Sequence, residues 1–190
     1  MSFENDPKLE ESKTFYTNGQ LRGHRFYRNG KLEGERRYWY QNGRPWIHEF
    51  YRDGKLEGER KSWWETGQPW TRGFYRDGKE EGEHKIWYKD GRLMEWNLCR
   101  DGKWDGERKT WYENGRSMEW EFYRNGKREG ESKYWFEDGR RWSSAFYRNG
   151  VFIDSSDEIK KGFLRIKRCL RNRVDLDSLI ISDLARIVCM

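Results

Sequence analysis

The peptide FYRNGKLEGE at Phe26–Glu35 returns as FYRDGKLEGE from Phe50 and as FYRDGKEEGE from Phe74. The step is 24 residues, and it runs without insertion through Phe26, Phe50, Phe74, Leu98, Phe122 and Phe146. Trp39, Trp63, Trp87, Trp111 and Trp135 keep the same step, as do Gly34, Gly58, Gly82, Gly106 and Gly130. Glu35, Glu59, Glu83, Glu107 and Glu131 form a further series. A half repeat, TFYTNGQ from Thr14, aligns with YWYQNGR from Tyr38, so the array occupies residues 10–153. Self-similarity held in phase for this long implies stacked copies of one small unit rather than a conventional globule.

Each copy carries two turn signals about 12 residues apart: Asn29-Gly30 or its Asp-Gly equivalent, and the Asn42-Gly43 series. Asn-Gly and Asp-Gly supply the positive φ angles of a two-residue type I′ hairpin. The runs between them are rich in Trp, Tyr and Phe, residues that favour strands. Two strands per repeat joined by tight hairpins predict a mainly β fold, an elongated single-layer antiparallel meander. With Asn42-Gly43 as central turn residues, Trp39 should face Trp46. The same register should pair Trp63 with Trp70, Trp87 with Met94, Trp111 with Met118 and Trp135 with Trp142. Alternation along the strand then sets Phe50 beside Trp46. The Trp39 and Phe26 series are therefore the expected structural ladder on one face, with Tyr27, Tyr51, Tyr75, Tyr123 and Tyr147 on the other.

Composition agrees with a thin structure. Hydrophobic residues are 34%, charged residues 38% and mean hydropathy −1.30, values that alone would suggest disorder. Twelve Trp, 11 Tyr and 10 Phe argue the other way. The net charge of +6 permits acidic partners without demanding them. The odd set Cys99, Cys169 and Cys189 points to free thiols in a reducing compartment. The acidic, polar start MSFENDPKLEESK is unlike a signal peptide, and no run approaches the ~18 apolar residues of a membrane span. A cytoplasmic or virion-associated protein is the expectation, with residues 1–9 as a flexible N-terminus.

The period changes after Ile153. Ile159, Phe163, Ile166 and Leu170 follow helical spacing, and a second helix fits Asp177–Val188. Residues 154–190 are thus expected to form a helical cap over the last strand. Lys160, Lys161, Arg165, Lys167, Arg168, Arg171 and Arg173 would give it a basic, partner-binding patch.

No sequence pattern announces chemistry. The pair Glu33/Glu35 recurs as Glu57/Glu59, Glu81/Glu83 and Glu129/Glu131, and a repeated pair reads as a surface ladder rather than an active site. His24, His48 and His84 lack ligand-spaced companions, and Gly30-x-x-x-Gly34 lacks the ending of a phosphate loop. No catalytic residue, cofactor or metal site is predicted. The row Arg28, Arg52, Arg76, Arg100, Arg124 and Arg148 runs beside the glutamates, which disfavours nucleic acid.

The recurring YRNGKLEGE…YWYQNG resembles the MORN repeat, in the variant form of bacterial antitoxin-type proteins. It is also similar to the multi-copy MORN-repeat proteins of large DNA viruses such as marseilleviruses. The 24-residue period, and Glu35 where the commoner form ends its G-x-G, are departures. The resemblance implies an extended sheet used for protein contact, dimerisation or membrane attachment. The expected function is a non-enzymatic scaffold binding other proteins, a capsid or its own copies, as a minor virion component or host-facing adaptor. The alternative is tethering to anionic lipid through the basic C-terminal helix.

Overall fold

The computed structural model describes residues 8–153. The predicted helical cap, its basic patch and residues 1–7 lie outside the described residues.

One antiparallel sheet takes in every strand. The strands are β1 (Glu10–Phe15), β2 (Leu21–Arg28), β3 (Lys31–Trp39), β4 (Pro45–Arg52) and β5 (Lys55–Leu56). They continue as β6 (Gly58–Trp63), β7 (Pro69–Arg76), β8 (Lys79–Trp87), β9 (Leu93–Arg100) and β10 (Lys103–Trp111). The last are β11 (Ser117–Arg124), β12 (Lys127–Arg128), β13 (Gly130–Trp135), β14 (Arg141–Arg148) and β15 (Val151–Ile153). Each strand pairs with its sequence neighbour, the short β5 and β12 being the first parts of strands that resume as β6 and β13. The meander is open, as the repeat implied, and among the described residues no helix is long and apolar enough to cross a membrane.

The two turn signals build two different turns. At Asn29-Gly30 both residues have positive φ, 52° and 74°, and Arg28 pairs with Lys31: a type I′ hairpin. The Asn42-Gly43 turn departs from that expectation. Tyr40 N–H donates to Arg44 C=O at 2.8 Å and Gly43 N–H to Tyr40 C=O at 2.9 Å, closing a three-residue loop. Only Gly43 has positive φ (81°), the geometry of a type I turn followed by a G1 bulge. The Asn42 side chain accepts the Arg44 N–H at 3.0 Å, which holds Asn42 out of the left-handed region.

The extra loop residue shifts only the pair beside the turn. Trp39 faces Pro45, and a second bulge that leaves Trp46 unpaired restores the expected register from Tyr38 and Ile47 onward. The expected pairs Trp39–Trp46, Trp63–Trp70, Trp87–Met94, Trp111–Met118 and Trp135–Trp142 are all replaced in this way. Trp46 instead packs 6.0 Å from Tyr38 and 5.7 Å from Tyr40, and Trp70 lies 4.8 Å from Trp64. Gly34 also has positive φ (80°), and a Cβ placed there would meet nothing within 4 Å. Backbone conformation at a bulge, not close approach, is what requires glycine at that position.

Candidate functional site: the polar face and its interruption

A single-layer sheet has no second layer to bury an apolar face, and its best-covered side chains are mostly polar. Among the described residues the buried apolar set is Cys99 and Tyr123, whereas Glu49, Ser62, His84, Asn97, Thr110, Glu121 and Ser132 are also buried. All belong to the face of Tyr51 and Tyr123. Glu121, with no exposed surface, receives Arg108 at 3.0 Å, Arg128 at 2.8 Å and the Tyr123 hydroxyl at 2.8 Å. Arg108 also binds Glu95 and Glu119, each at 2.9 Å. Glu49 holds the equivalent place one repeat before Gly73, bound by Arg36 at 3.2 Å and Arg60 at 3.1 Å. The sheet centre is therefore a chain of carboxylates, guanidinium groups and phenols that bond one another, with Arg36 Nε and Thr110 Oγ1 left buried without a partner among the described residues.

Three further hydrogen-bond series join each repeat to the next. The Tyr16 hydroxyl donates to the Trp39 carbonyl, and Tyr40 to Trp63, Tyr88 to Trp111 and Tyr112 to Trp135 repeat the bond at 2.7–2.8 Å. Trp64 serves in the same place through its indole Nε1, bonding Trp87 O at 3.2 Å. At the type I′ tips, Asp53 N–H donates to the Glu33 carboxylate at 2.9 Å and Gly54 N–H to Leu32 C=O at 2.8 Å. At the opposite edge Arg44 reaches the Glu65 and Thr66 carbonyls of the next loop. Glu33 and Glu35 thus have separate tasks. Glu33 caps a neighbouring turn, while Glu35 pairs with His48 at 2.7 Å and with Arg37. Burial works against ionisation of Glu35, but the hydrogen bonds from Arg37 and His48 outweigh it and hold the carboxyl below its ordinary value.

The polar chain is interrupted in the middle of the array. At the place of Glu49 and Glu121 the intervening repeats have Gly73 and Asn97; His84 stands where Arg36, Arg60 and Arg108 stand, and Cys99 where Tyr51, Tyr75 and Tyr123 stand. The His84 ring fills the space that Gly73 leaves: a Cβ at Gly73 would lie 2.2 Å from it. His84 Nε2 is 3.1 Å from the Phe74 carbonyl, an acceptor only, so Nε2 carries the hydrogen. Nδ1 faces Glu80 Oε1 at 3.8 Å, and Cys99 Sγ lies 3.5 Å from Glu80 Oε2 and 3.3 Å from Asn97 Oδ1. Burial, then the charge of Glu80, pushes the Cys99 thiol up to about 12. The same two causes push the Tyr75 phenol up to about 12. A cavity of about 300 Å³ opens here, lined by Tyr75, Glu80, His84, Asn97 and Trp104 among others.

On the other face, alternation from Glu35 and Arg37 along β3 sets Trp39 on the side where Glu35 pairs with Phe50 and Arg37 with His48. Phe50 and Phe74 are exposed, at 41% and 39%, whereas Phe26, Phe122 and Phe146 are half-buried, as are Trp39, Trp63, Trp87, Trp111 and Trp135. The tryptophan series contributes its backbone carbonyls to the inter-repeat bonds, a role that side-chain patterning does not reveal.

No curated protein matches the chain. Residues 11–29, 32–53 and 56–77 each match the MORN repeat variant. The second and third matches each begin just after one type I′ tip and end at the next, so the matched unit is a bulged hairpin running from tip to tip. The chain therefore carries three repeats similar to the MORN repeat variant, set in a sheet that continues the same fold to Ile153.

Proposed function

We propose that this protein is a non-enzymatic scaffold that binds other proteins through the phenylalanine face of its sheet. The observation that carries this reading is the exposure of Phe50 and Phe74, one repeat apart on a continuous hydrogen-bonded sheet. Successive repeats are about 9.6 Å apart, two strand spacings, so the face offers equivalent apolar contacts at a fixed interval. Exposed aromatic side chains on a rigid support are suited to contact with a protein surface. Similarity to the MORN repeat variant supports the same reading, and a virion component or host-facing adaptor is its more specific form.

The test is a pull-down from the native cell or particle with the wild-type chain and with a Phe50→Ser/Phe74→Ser variant, checked for folding by circular dichroism. Proteins retained by the wild type and lost with the folded variant support the proposal. Retention by both overturns the assignment to this face. Sedimentation with anionic liposomes, with and without Lys167, Arg168 and Arg171 changed to Gln, separates out lipid tethering. Liposome binding that those changes abolish, together with no protein captured, would favour the membrane reading instead.

A further inference from the structure

We infer that Glu80, His84 and Cys99 form a binding site for a single divalent transition-metal ion of the zinc type, which clips β8 to β9 at the interruption of the polar chain. The three side chains offer one oxygen, one nitrogen and one sulfur, all within 4.8 Å of one another. Cys99 Sγ lies 3.5 Å from Glu80 Oε2 and His84 Nδ1 lies 3.8 Å from Glu80 Oε1, one donor to each oxygen of the carboxylate. The roughly 3.5 Å between donors around a tetrahedral zinc ion with bonds of about 2.0–2.3 Å is within reach of a small side-chain adjustment.

The histidine is already set as a ligand. Its Nε2–H is held by the Phe74 carbonyl, which leaves Nδ1, 3.8 Å from Glu80 Oε1, to offer a lone pair. A backbone carbonyl on the far nitrogen is the usual partner that fixes the tautomer of a metal-bound imidazole. Gly73 makes room for that ring, since any Cβ there would collide with it.

The charge balance also favours a cation. The nearby arginines and lysine are engaged elsewhere, Arg60 with Glu49, Arg72 with Glu59 and Lys85 with Glu83. Among the described residues Glu80 faces no arginine or lysine at ion-pair distance; its partners there are His84, Cys99 and the Tyr75 hydroxyl, which donates to Oε1 at 3.3 Å. On binding, the Cys99 S–H bond breaks, its proton passes to the buffer, and the sulfur lone pair forms the metal–sulfur bond. Glu80 and His84 Nδ1 donate lone pairs without losing a proton, and Asn97 Oδ1 or water takes the fourth place.

The site also occurs once. Ladders in this molecule recur every 24 residues, but His84, Cys99 and Asn97 have no equivalents at their places in the flanking repeats. Here the ion would supply the positive charge that is lost where His84 stands in the place of Arg36, Arg60 and Arg108.

The test uses the tag-free, metal-stripped chain carrying Cys169→Ser and Cys189→Ser, so that Cys99 supplies the only thiol. Zinc is titrated by equilibrium dialysis and cobalt(II) by absorption. The expected result is one saturable equivalent at micromolar ion, with an intense near-ultraviolet sulfur-to-cobalt band. Cys99→Ser should abolish that band, and His84→Gln and Glu80→Gln should each weaken binding at least about tenfold. Zinc should also raise the thermal midpoint of the parent chain but not of the Cys99→Ser chain. Absence of saturable binding in the folded parent, or a cobalt spectrum without the sulfur band, would overturn the proposal, and neither reading depends on the variants folding. Because binding of protein partners is read separately, failure here leaves the scaffold reading untouched.

Discussion

The Tyr40 hydroxyl donates a hydrogen bond of 2.8 Å to the carbonyl of Trp63, one repeat further along the chain. Tyr16, Trp64, Tyr88 and Tyr112 make the equivalent bond, and Phe136 takes the sixth place without a donor. These bonds tie repeats together where an ordinary domain would use an apolar core. Tyr40→Phe removes the donor and keeps the ring, so it should lower stability by about 1 kcal/mol in urea unfolding. Phe136→Tyr gives a control at the end of the series and should stay within about 0.5 kcal/mol of wild type.

Among the described residues Glu121 is the most enclosed charged group, with Arg108 and Arg128 on either side. Removing it leaves both guanidinium groups facing a buried gap. Glu121→Ala should therefore cost about 3–5 kcal/mol. The same change at Glu137, whose side chain is exposed, should stay within about 0.5 kcal/mol. Denaturant midpoints for the two variants make the comparison.

Acid should loosen the sheet through the Glu35 row. Glu35, Glu59 and Glu83 all ionise below their ordinary value of 4.5. For Glu59 burial opposes ionisation and hydrogen bonds from Lys61 and Arg72 overcome it; for Glu83 the hydrogen bonds from Lys85 and Trp96 come first. Between the folded and unfolded values the unfolded chain binds more protons, so stability rises with pH there. The contribution is present above pH 4.5 and is lost as pH falls through the lower folded values. Urea midpoints measured downward from neutral pH should begin to fall near that value, and the fall should shrink in a Glu35→Gln/Glu59→Gln/Glu83→Gln variant.

At the type I′ tips Asn29, Asp53, Asp77, Asp101, Asn125 and Asn149 all sit near φ +52°. Asn and Asp tolerate this region through local hydrogen bonding, whereas a plain Cβ costs roughly 1–2 kcal/mol. Asp101→Ala should lose about that amount, and Asp101→Asn should be nearly neutral, as read from thermal unfolding.

The strand content, the antiparallel order and the type I′ tips were legible from the 24-residue period and its Asn-Gly and Asp-Gly steps. The second turn was misread because the same dipeptide serves two geometries. One residue did carry the distinction: Thr66 occupies that series, and a β-branched residue is a poor fit to the positive φ that a type I′ turn needs. The cluster at Glu80, His84 and Cys99 escaped sequence reading for a different reason. His84 and Cys99 lie on neighbouring strands, where His84 faces Asn97 and Gly82 faces Cys99, and no ligand spacing along the chain marks them as a group. Residues 154–190, with the proposed basic patch, lie outside the described structure.

Repeats joined by bonds from tip to tip, in place of an apolar core, can be tested one amide at a time. Gly54, Gly78, Gly102, Gly126 and Gly150 lie in exposed turns, yet each N–H donates to a carbonyl of the preceding repeat at 2.8–2.9 Å. Among the described residues no preceding tip receives the N–H of Gly30, in the first such turn. Hydrogen exchange followed by NMR should show the five later glycines protected to the level of neighbouring strand amides, with Gly30 exchanging fast. Exchange of all six at the rate of free turns would contradict the account.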